Sequence, residues 1–340
     1  MLLKPGKENT LLVYAPYHQP TIEKLRTFSG IKWNPKHKHW ELPFSPRILE
    51  KLEHLFGAQL KIDPLFHLLP LKRELLIRRY SRKTIKSYLH HNYQLLLFTQ
   101  KNPLAMEQTD IKNYIHAKLQ KNDIATATVN QMINAFRFFY GQCLGNHFIY
   151  EVKRAKRDKL LPKVLSLTEI QKIFTHTLNL KHKTILMLTY SAGLRVSEVV
   201  KLQVQDIDSK RKTVFIRGGK GRKDRISLLS EKIILLLRRY YREFLPIKWL
   251  FPGFDKTVPL SIRSVQEVFK TALKRAKINK DLGVHALRHS FATHLLEQGV
   301  NLRYIQELLG HQSPKTTQIY TCVSNQEISK IKNPLDGIDI

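Results

Sequence analysis

The sequence predicts a mainly α-helical protein that carries a small β-hairpin or sheet insert, and three observations favour this fold class. Apolar residues recur with helical spacing through most of residues 66–150 and 163–340. β-branched residues flank a glycine-rich turn at 212–229, as in a hairpin, and the first 60 residues mix the two patterns. A chain of 340 residues is long enough for two domains and a small third one.

The predicted domains follow the changes in this pattern along the chain. Residues 1–63 form a small N-terminal α/β addition of unknown role, and residues 66–152 form a helical domain. A charged stretch that ends at Pro162 is the predicted linker. Residues 159–340 form a mixed α/β domain with a C-terminal tail.

The N-terminal unit contains strand, helix and hairpin signals in that order. Residues 10–15 suit a strand, 20–28 suit a helix that opens with a proline, and 31–42 alternate as a hairpin does. Trp33 and Trp40 flank the basic turn of that hairpin. Cross-strand packing of the two indoles is the favoured interpretation, and stacking on nucleic acid is the alternative.

The helical domain carries cap and stop signals at the places where helices need them. Ser81 can cap a long amphipathic helix over 82–100. Residues 126–145 predict a further helix that ends in glycines.

The charge of the chain indicates a polyanionic partner. Fifty-eight Lys and Arg residues oppose 27 Asp and Glu residues, which leaves a net charge of +31 and a sequence pI of about 10.1. This excess favours nucleic acid because binding releases condensed counterions, and with the helical domain it predicts a clamp on duplex DNA. A membrane surface is the competing polyanion, but no apolar run approaches the roughly 18 residues that span a bilayer.

The cysteines and the N-terminus favour a soluble, reduced, cytoplasmic protein. The N-terminus lacks the apolar core of a signal peptide. Cys143 and Cys322 are too few for a disulfide framework or for a four-thiolate zinc site.

Two motifs at the start of the last domain carry candidate site residues. In "SAGLRVSEVVKL" (191–202), Arg195 follows a helix-ending glycine, Ser197 is a candidate helix cap, and Glu198 lies one turn away. In "GGKGRKDR" (218–225), Lys220 lies on a glycine-flanked loop that could approach a phosphate closely. Taken alone, such a lysine is more often a simple hairpin tip.

Two further motifs lie near the C-terminus. In "HALRHSFATHLLEQG", His285 and Arg288 are three residues apart and share a helix face. In "LGHQSPKTTQIY", His311 follows the end of a helix, and Ser313 can cap the next one. Tyr320 is then expected about two turns into that last helix, half-buried if it only packs.

In order and chemistry, the four motifs resemble those of the tyrosine site-specific recombinases, the phage integrase and Xer-like family. The resemblance covers residues 66–150, as a helical core-binding, SAM-like domain that binds DNA, and about 163–325, as the catalytic domain. It implies a C-shaped clamp of these two domains around duplex DNA. It also implies specific recombination sites, a homotetramer on DNA and a monomer in free solution.

The resemblance implies a role for each matching residue. Tyr320 is the expected nucleophile, and the expected activating residues are Arg195, Lys220, His285, Arg288 and His311. Glu198 also fits the family pattern, as a residue that orients a catalytic side chain. Cys322 departs from it, because many relatives have histidine there, and we expect this difference to affect packing only.

These residue types suit an attack on a phosphodiester. A tyrosine needs activation because its pKa is near 10, and two guanidiniums can bind the charged non-bridging oxygens bidentately. Lys220 is the best candidate to protonate the departing 5′ oxygen, and the histidines can exchange protons around the phosphate. A 3′-phosphotyrosine intermediate keeps the bond energy, so the expected reaction uses no ATP, no metal and no other cofactor.

Three alternatives to a recombinase stay open. His285 and His289 have the spacing of a zinc protease pair, but Ala286 stands where the required glutamate would follow. A DNA-binding regulator on an inactive scaffold is a second alternative, disfavoured by the filled catalytic positions. A type IB topoisomerase is the third, disfavoured by the helical domain that precedes the catalytic half.

Overall fold

The computed structural model describes residues 1–321, apart from 7–9, 122–123, 157–160, 219–223 and 312. The chain forms two units, Met1–Asp158 and Lys159–Ile340. The first unit contains two separate apolar cores, one in its N-terminal residues and one in its helical part. Within the described residues, no helix is both long and apolar enough to cross a lipid bilayer.

The N-terminal part of the first unit is a five-stranded sheet with two helices. Its elements are β1 (Leu2–Pro5), β2 (Thr10–Tyr14), α1 (Gln19–Arg26), β3 (Lys32–Asn34), β4 (His39–Pro43), α2 (Pro46–Phe56) and β5 (Lys61–Ile62). The strand order is β3-β4-β2-β1-β5, and only the β1–β5 pair is parallel. Trp33 and Trp40 lie opposite each other with ring centroids 5.0 Å apart. The predicted hairpin and the cross-strand packing of its indoles are confirmed.

The rest of the first unit is helical. Its helices are α3 (Leu69–Ile77), α4 (Arg82–Thr99), α5 (Gln108–Lys121) and α6 (Thr126–Phe136). Ser81 caps α4 as predicted, because its hydroxyl accepts the N–H of Thr84 at 3.1 Å. Large rings fill the core, including the buried side chains of Tyr114, Phe136, Phe139 and Tyr140.

The helix predicted over 126–145 is continuous only to Phe136. From Arg137 to Cys143 the backbone forms a π-helical segment. Phe138, Phe139 and Tyr140 are all buried there. Three successive rings cannot share one face of a 3.6-residue α-helix, and the wider π turn accompanies their burial.

The second unit is mostly helical with one small sheet. Its elements are α7 (Leu167–Thr175), α8 (Leu180–Ser191), α9 (Val196–Val199), β6 (Ile207–Asp208), β7 (Thr213–Ile216), β8 (Arg225–Leu228), α10 (Glu231–Phe244), α11 (Ile262–Arg275), α12 (His285–Glu297), α13 (Leu302–Leu309) and α14 (Pro314–Gln318). The predicted hairpin is β7 and β8, whose tip at 219–223 lies outside the described residues. β6 pairs with β7 and was not predicted, because two residues carry no periodicity.

Helix α8 is the centre of the second unit. It contacts α7, α10, α11 and α12, and its Ile185, Leu186 and Leu188 are fully buried. A smaller apolar cluster forms where α12 meets α13 and includes Phe291 and Tyr320. This cluster positions the C-terminal motifs.

Candidate active site

A sharp turn between α8 and α9 places Arg195. Gly193 has a left-handed φ of 58°, and a Cβ on it would lie 2.4 Å from a ring carbon of Phe291. Glycine is therefore required both by the backbone and by the close approach of α12. Arg195 is the N-cap residue of α9, and its N–H donates to the Glu198 carboxylate at 2.8 Å. The prediction that Ser197 caps this helix is wrong, since Ser197 lies inside α9.

Glu198 is a buried carboxylate shared by three arginines. It accepts hydrogen bonds from Arg195 at 2.6 Å and from both terminal nitrogens of Arg225 at 2.8 and 2.7 Å, and it lies 3.8 Å from Arg288. Burial alone would raise its pKa, but the hydrogen bonds and charge of Arg225, with Arg195, hold the pKa at about 2. Sequence reasoning missed Arg225, because one arginine among the basic residues of 218–225 has no distinguishing local signal.

Arg288 is almost fully buried, with 2% of its surface exposed. Its guanidinium donates to the carbonyl oxygens of Gly193 and Leu309, both at 2.6 Å, and one of its nitrogens lies 3.1 Å from Nε2 of His311. Burial and the neighbouring charge of Arg195 lower the pKa of Arg288 to about 9, so it stays a cation at neutral pH. The guanidinium is fixed in place by backbone groups on two sides.

His311 follows the end of α13. Gly310 terminates that helix with a left-handed φ of 63°, and the turn brings His311 against Arg288. Because Nε2 accepts from Arg288, Nδ1 carries the proton and donates to the Thr317 hydroxyl at 2.9 Å. Burial and the charge of Arg288 lower the pKa of His311 to about 3, so the ring is neutral at pH 7.

Tyr320 lies beside His311 in the same cluster of side chains, but its position in the backbone differs from the predicted one. Helix α14 ends at Gln318, so Tyr320 lies in the following turn and not two turns into the helix. Its side chain is 1% exposed, and its ring is parallel to His311 at a centroid distance of 6.4 Å. Burial raises the pKa of Tyr320, and the charges of Arg288 and Arg195 oppose that rise. The short last helix contributes the hydroxyl of Thr317, which holds His311, and it is followed by the turn that holds the ring of Tyr320.

Two histidines of α12 complete the group. His289 Nδ1 lies 3.0 Å from Tyr320 Oη, and the rings of His285 and His289 meet edge-on at 6.2 Å. Burial, followed by the charge of Arg288, lowers the pKa of His285. Sequence reasoning considered His289 only as half of a zinc pair. In the described part of the chain, no three His, Cys, Asp or Glu side chains group closely enough to hold a metal.

The structure thus brings five of the six predicted site residues together, namely Arg195, His285, Arg288, His311 and Tyr320. Lys220 and Cys322 lie outside the described residues. Three guanidiniums face one carboxylate in this cluster, and the histidines beside them are neutral at pH 7. A buried excess of fixed cations favours an anionic ligand, and a phosphodiester with developing negative charge meets that requirement.

Two family models match the chain. Residues 163–327 match the phage integrase family, and residues 68–149 match the phage integrase N-terminal SAM-like domain.

Curated relatives cover most of the chain. The tyrosine recombinase XerA of Pyrococcus horikoshii is 35% identical over 251 residues, which are 73% of this chain and 86% of that protein. The tyrosine recombinase XerC of Staphylococcus epidermidis is 32% identical over 301 residues, which are 83% of this chain and 96% of that protein.

Solved structures share the fold at lower sequence identity. A XerH site-specific recombinase bound to its palindromic difH substrate, in a post-cleavage complex, has a TM-score of 0.62 at 20% identity, covering 74% of this chain and 80% of that one. A lambda integrase tetramer bound to a Holliday junction has a TM-score of 0.60 at 17% identity, covering 85% and 91%.

Proposed function

This chain belongs to the phage integrase family of tyrosine recombinases, and we propose that it cleaves and rejoins duplex DNA at specific sites through a 3′-phosphotyrosine bond to Tyr320. One observation carries the assignment of the nucleophile. The buried ring of Tyr320 lies parallel to the ring of His311, whose Nε2 accepts from the buried guanidinium of Arg288. The charges of Arg288 and Arg195 oppose the rise that burial causes in the pKa of Tyr320. Attack from this position places the developing phosphate charge beside fixed cations.

Each remaining site residue has a role in the proposed reaction. Arg195 and Arg288 bind the non-bridging oxygens, and Glu198 with Arg225 holds the guanidiniums in position. His311 keeps Arg288 oriented while staying neutral. His285 hydrogen-bonds around the phosphate, and Lys220 protonates the departing 5′ oxygen.

The domain roles follow from the same proposal. Residues 66–152 act as the DNA-binding core-binding domain, and residues 159–340 cleave and rejoin the strands. The match of the SAM-like model to 68–149 supports the first assignment. The lambda integrase tetramer on a Holliday junction supports assembly as a homotetramer that joins two sites on DNA.

The decisive experiment is to recover the covalent intermediate. The protein is incubated with genomic DNA of its source, the reaction is stopped with denaturant, and the linked DNA is sequenced. After nuclease and protease digestion, mass spectrometry is expected to find a nucleotide on the peptide that contains Tyr320. A nucleotide on a different peptide would assign the nucleophile elsewhere, and its absence from all peptides would contradict strand cleavage.

A plasmid with two copies of the recovered site separates recombination from the alternatives. Exchange between the sites supports a recombinase. Relaxation of supercoils without exchange indicates a type IB topoisomerase, and binding without either indicates a regulator.

A further inference from the structure

His289 contacts the oxygen atom that the proposed function makes the nucleophile. Its Nδ1 lies 3.0 Å from Tyr320 Oη, and the two ring centroids are 5.7 Å apart. This distance is within hydrogen-bond range, so the imidazole can accept the phenolic proton directly.

We propose that His289 is a further catalytic residue, the base that removes the phenolic proton as Tyr320 attacks phosphorus. The Oη–H bond breaks and an Nδ1–H bond forms, while the P–Oη bond forms and the P–O5′ bond breaks. The 5′ oxygen leaves with a proton from a separate acid, for which Lys220 is the candidate. The inference rests on the proposed function, because the step needs a DNA phosphate.

The other two histidines are less suited to this task. Both ring nitrogens of His311 are already engaged, one with Arg288 and one with the hydroxyl of Thr317. His285 meets the ring of His289 edge-on. Of these three rings, His289 has the hydrogen bond to Tyr320.

The protonation states agree with this direction of transfer. Burial, together with the charges of His285 and Arg288, lowers the pKa of His289 to about 4, so Nδ1 is a free acceptor at pH 7 when Nε2 carries the proton. Burial raises the pKa of Tyr320, so the phenol keeps its proton until it reacts. A bound phosphodiester brings negative charge into the pocket and raises the pKa of His289 towards neutrality, where a base is most effective.

The titratable and charged groups around His289 come from four segments. His285 and Arg288, which lie on α12 with His289, lower its pKa in the free protein. His311 follows α13 and interacts with His289, Tyr320 follows α14, and Arg195, which caps α9, acts on His311 and Tyr320. DNA binding neutralises part of the effect of the cations.

The test compares three variants on a duplex that carries the recovered site. His289→Ala removes the base, and His289→Asn keeps an acceptor oxygen near the position of Nδ1 but cannot take up a proton near neutral pH. His294→Asn is the matched control. His294 lies on α12 like His289 but outside the site, and its Nδ1 contacts a different tyrosine hydroxyl, Tyr190 Oη, at 2.9 Å. Binding is measured by fluorescence anisotropy and adduct formation by rapid quench.

We expect both His289 variants to bind the duplex as the unmodified protein does and to form the adduct about 10²-fold more slowly or worse. Their rates should keep rising with pH up to about 9, because hydroxide replaces the missing base, while the rate of the unmodified protein should level off once the pH exceeds the pKa of His289 in the complex. The His294→Asn protein should keep the unmodified rate.

Several results would overturn the proposal. An unmodified rate for His289→Asn would mean that position 289 needs only to accept a hydrogen bond. An unmodified rate for His289→Ala would mean that it needs neither to accept a hydrogen bond nor to take up a proton. A slow rate without the rise in pH dependence indicates a structural role. If the unmodified protein itself forms no adduct, the proposed function fails first and the role of His289 falls with it. In the free protein, ¹⁵N NMR of the histidine rings separately tests the contact, since Tyr320→Phe must shift the Nδ1 resonance of His289.

Discussion

The second unit buries one cluster of charged side chains around Glu198, whereas the ion pairs described in the helical part of the first unit have exposed cations. The side chains of Glu198, Arg225 and Arg288 are 6%, 8% and 3% exposed. In the helical part, Arg78 and Lys101 pair with carboxylates while their own side chains are 42% and 45% exposed. The described interior there is mainly apolar and aromatic, with the buried amides of Asn92 and Asn130.

This difference separates a region built for chemistry from one built for stability. Taking charged groups out of water costs free energy that their mutual attraction often fails to recover, so a buried ion-pair cluster is weak evidence of stabilisation. The cluster instead fixes its cations in the positions where they can bind a phosphate. Apolar and aromatic burial stabilises the helical part, and basic side chains such as Lys83 and Lys86 stay exposed at its surface, where the proposed function has them contact the DNA backbone.

The largest expected effect is the loss of the covalent adduct when the hydroxyl of Tyr320 is removed, and the same change in the helical part is its control. Tyr320→Phe should abolish the covalent protein–DNA adduct with little change in DNA affinity, because it removes the attacking oxygen. Tyr140→Phe makes the same change at a buried tyrosine of the helical core and should leave adduct formation intact. Denaturing gels with labelled DNA measure both. Adduct from the Tyr320→Phe protein would identify another nucleophile.

The second effect separates transition-state binding from ground-state binding. Arg195→Gln should raise the barrier to adduct formation by about 3 kcal/mol with a smaller loss of DNA affinity, because its charge matters most as phosphate charge develops. Lys83→Gln, an exposed change on α4, should leave the rate of the bound complex unchanged. Single-turnover rates at saturating protein give the comparison. Equal losses of rate and affinity for Arg195→Gln would reduce Arg195 to a DNA contact.

The third effect concerns the stability of the second unit. Glu198→Gln should lower its free energy of unfolding by about 3 kcal/mol, because the buried guanidiniums of Arg225 and Arg288 and the partly buried one of Arg195 lose their counter-charge. Glu307→Gln is the matched control, since its pair with Arg303 is exposed and should be worth less than about 1 kcal/mol. Urea titration at pH 7 measures both. Similar losses would mean that the buried cluster contributes no more than a surface pair.

The stability difference that Glu198→Gln causes should depend on pH. The pKa of Glu198 is about 2 in the folded protein and 4.5 for an unperturbed group, so its stabilisation is present above pH 4.5 and is lost as the pH falls through 2. The difference in unfolding free energy between Glu198→Gln and the unmodified protein should shrink over that window. A constant difference would contradict the low pKa.

The smallest expected effect is on stability, when the hydroxyl of one of two buried tyrosines is removed. Tyr240 in the second unit donates to the carbonyl of Leu250 at 2.9 Å, whereas the Tyr140 hydroxyl has no hydrogen-bond partner among the described residues. Tyr240→Phe should destabilise by about 1 kcal/mol, and Tyr140→Phe should be neutral or slightly stabilising. Thermal unfolding detects both shifts. A larger loss at Tyr140 than at Tyr240 would reverse the comparison.

Local patterns were sufficient for much of the fold. Periodicity predicted the long helices, and the hydroxyl of Ser81 caps α4 as its position suggested. Patterns failed where the local signal was short or the packing unusual. β6 has two residues, and the π-helical segment after Phe136 contains three buried rings in a row.

Some residues of the candidate site were also predictable from the sequence, and others were not. The resemblance of the four motifs to those of the tyrosine recombinases selected Arg195, Arg288, His311 and Tyr320, and the chemistry of phosphate binding and attack explains why these residue types are needed. Of their partners, Glu198 was expected from the same resemblance, whereas Arg225 could not be selected from the sequence. Arg225 meets Glu198 from 27 positions away, and no local pattern spans that distance.

The sequence by itself determined the helical character of the chain, its basic charge and the residue types that meet a phosphate, because these depend on composition and short-range spacing. Only the tertiary structure decided that one carboxylate serves three arginines, that Tyr320 lies in a turn against His289, and that the neighbouring rings are neutral. Burial and contacts between distant segments set those properties, since both change the electrostatic cost of a charge.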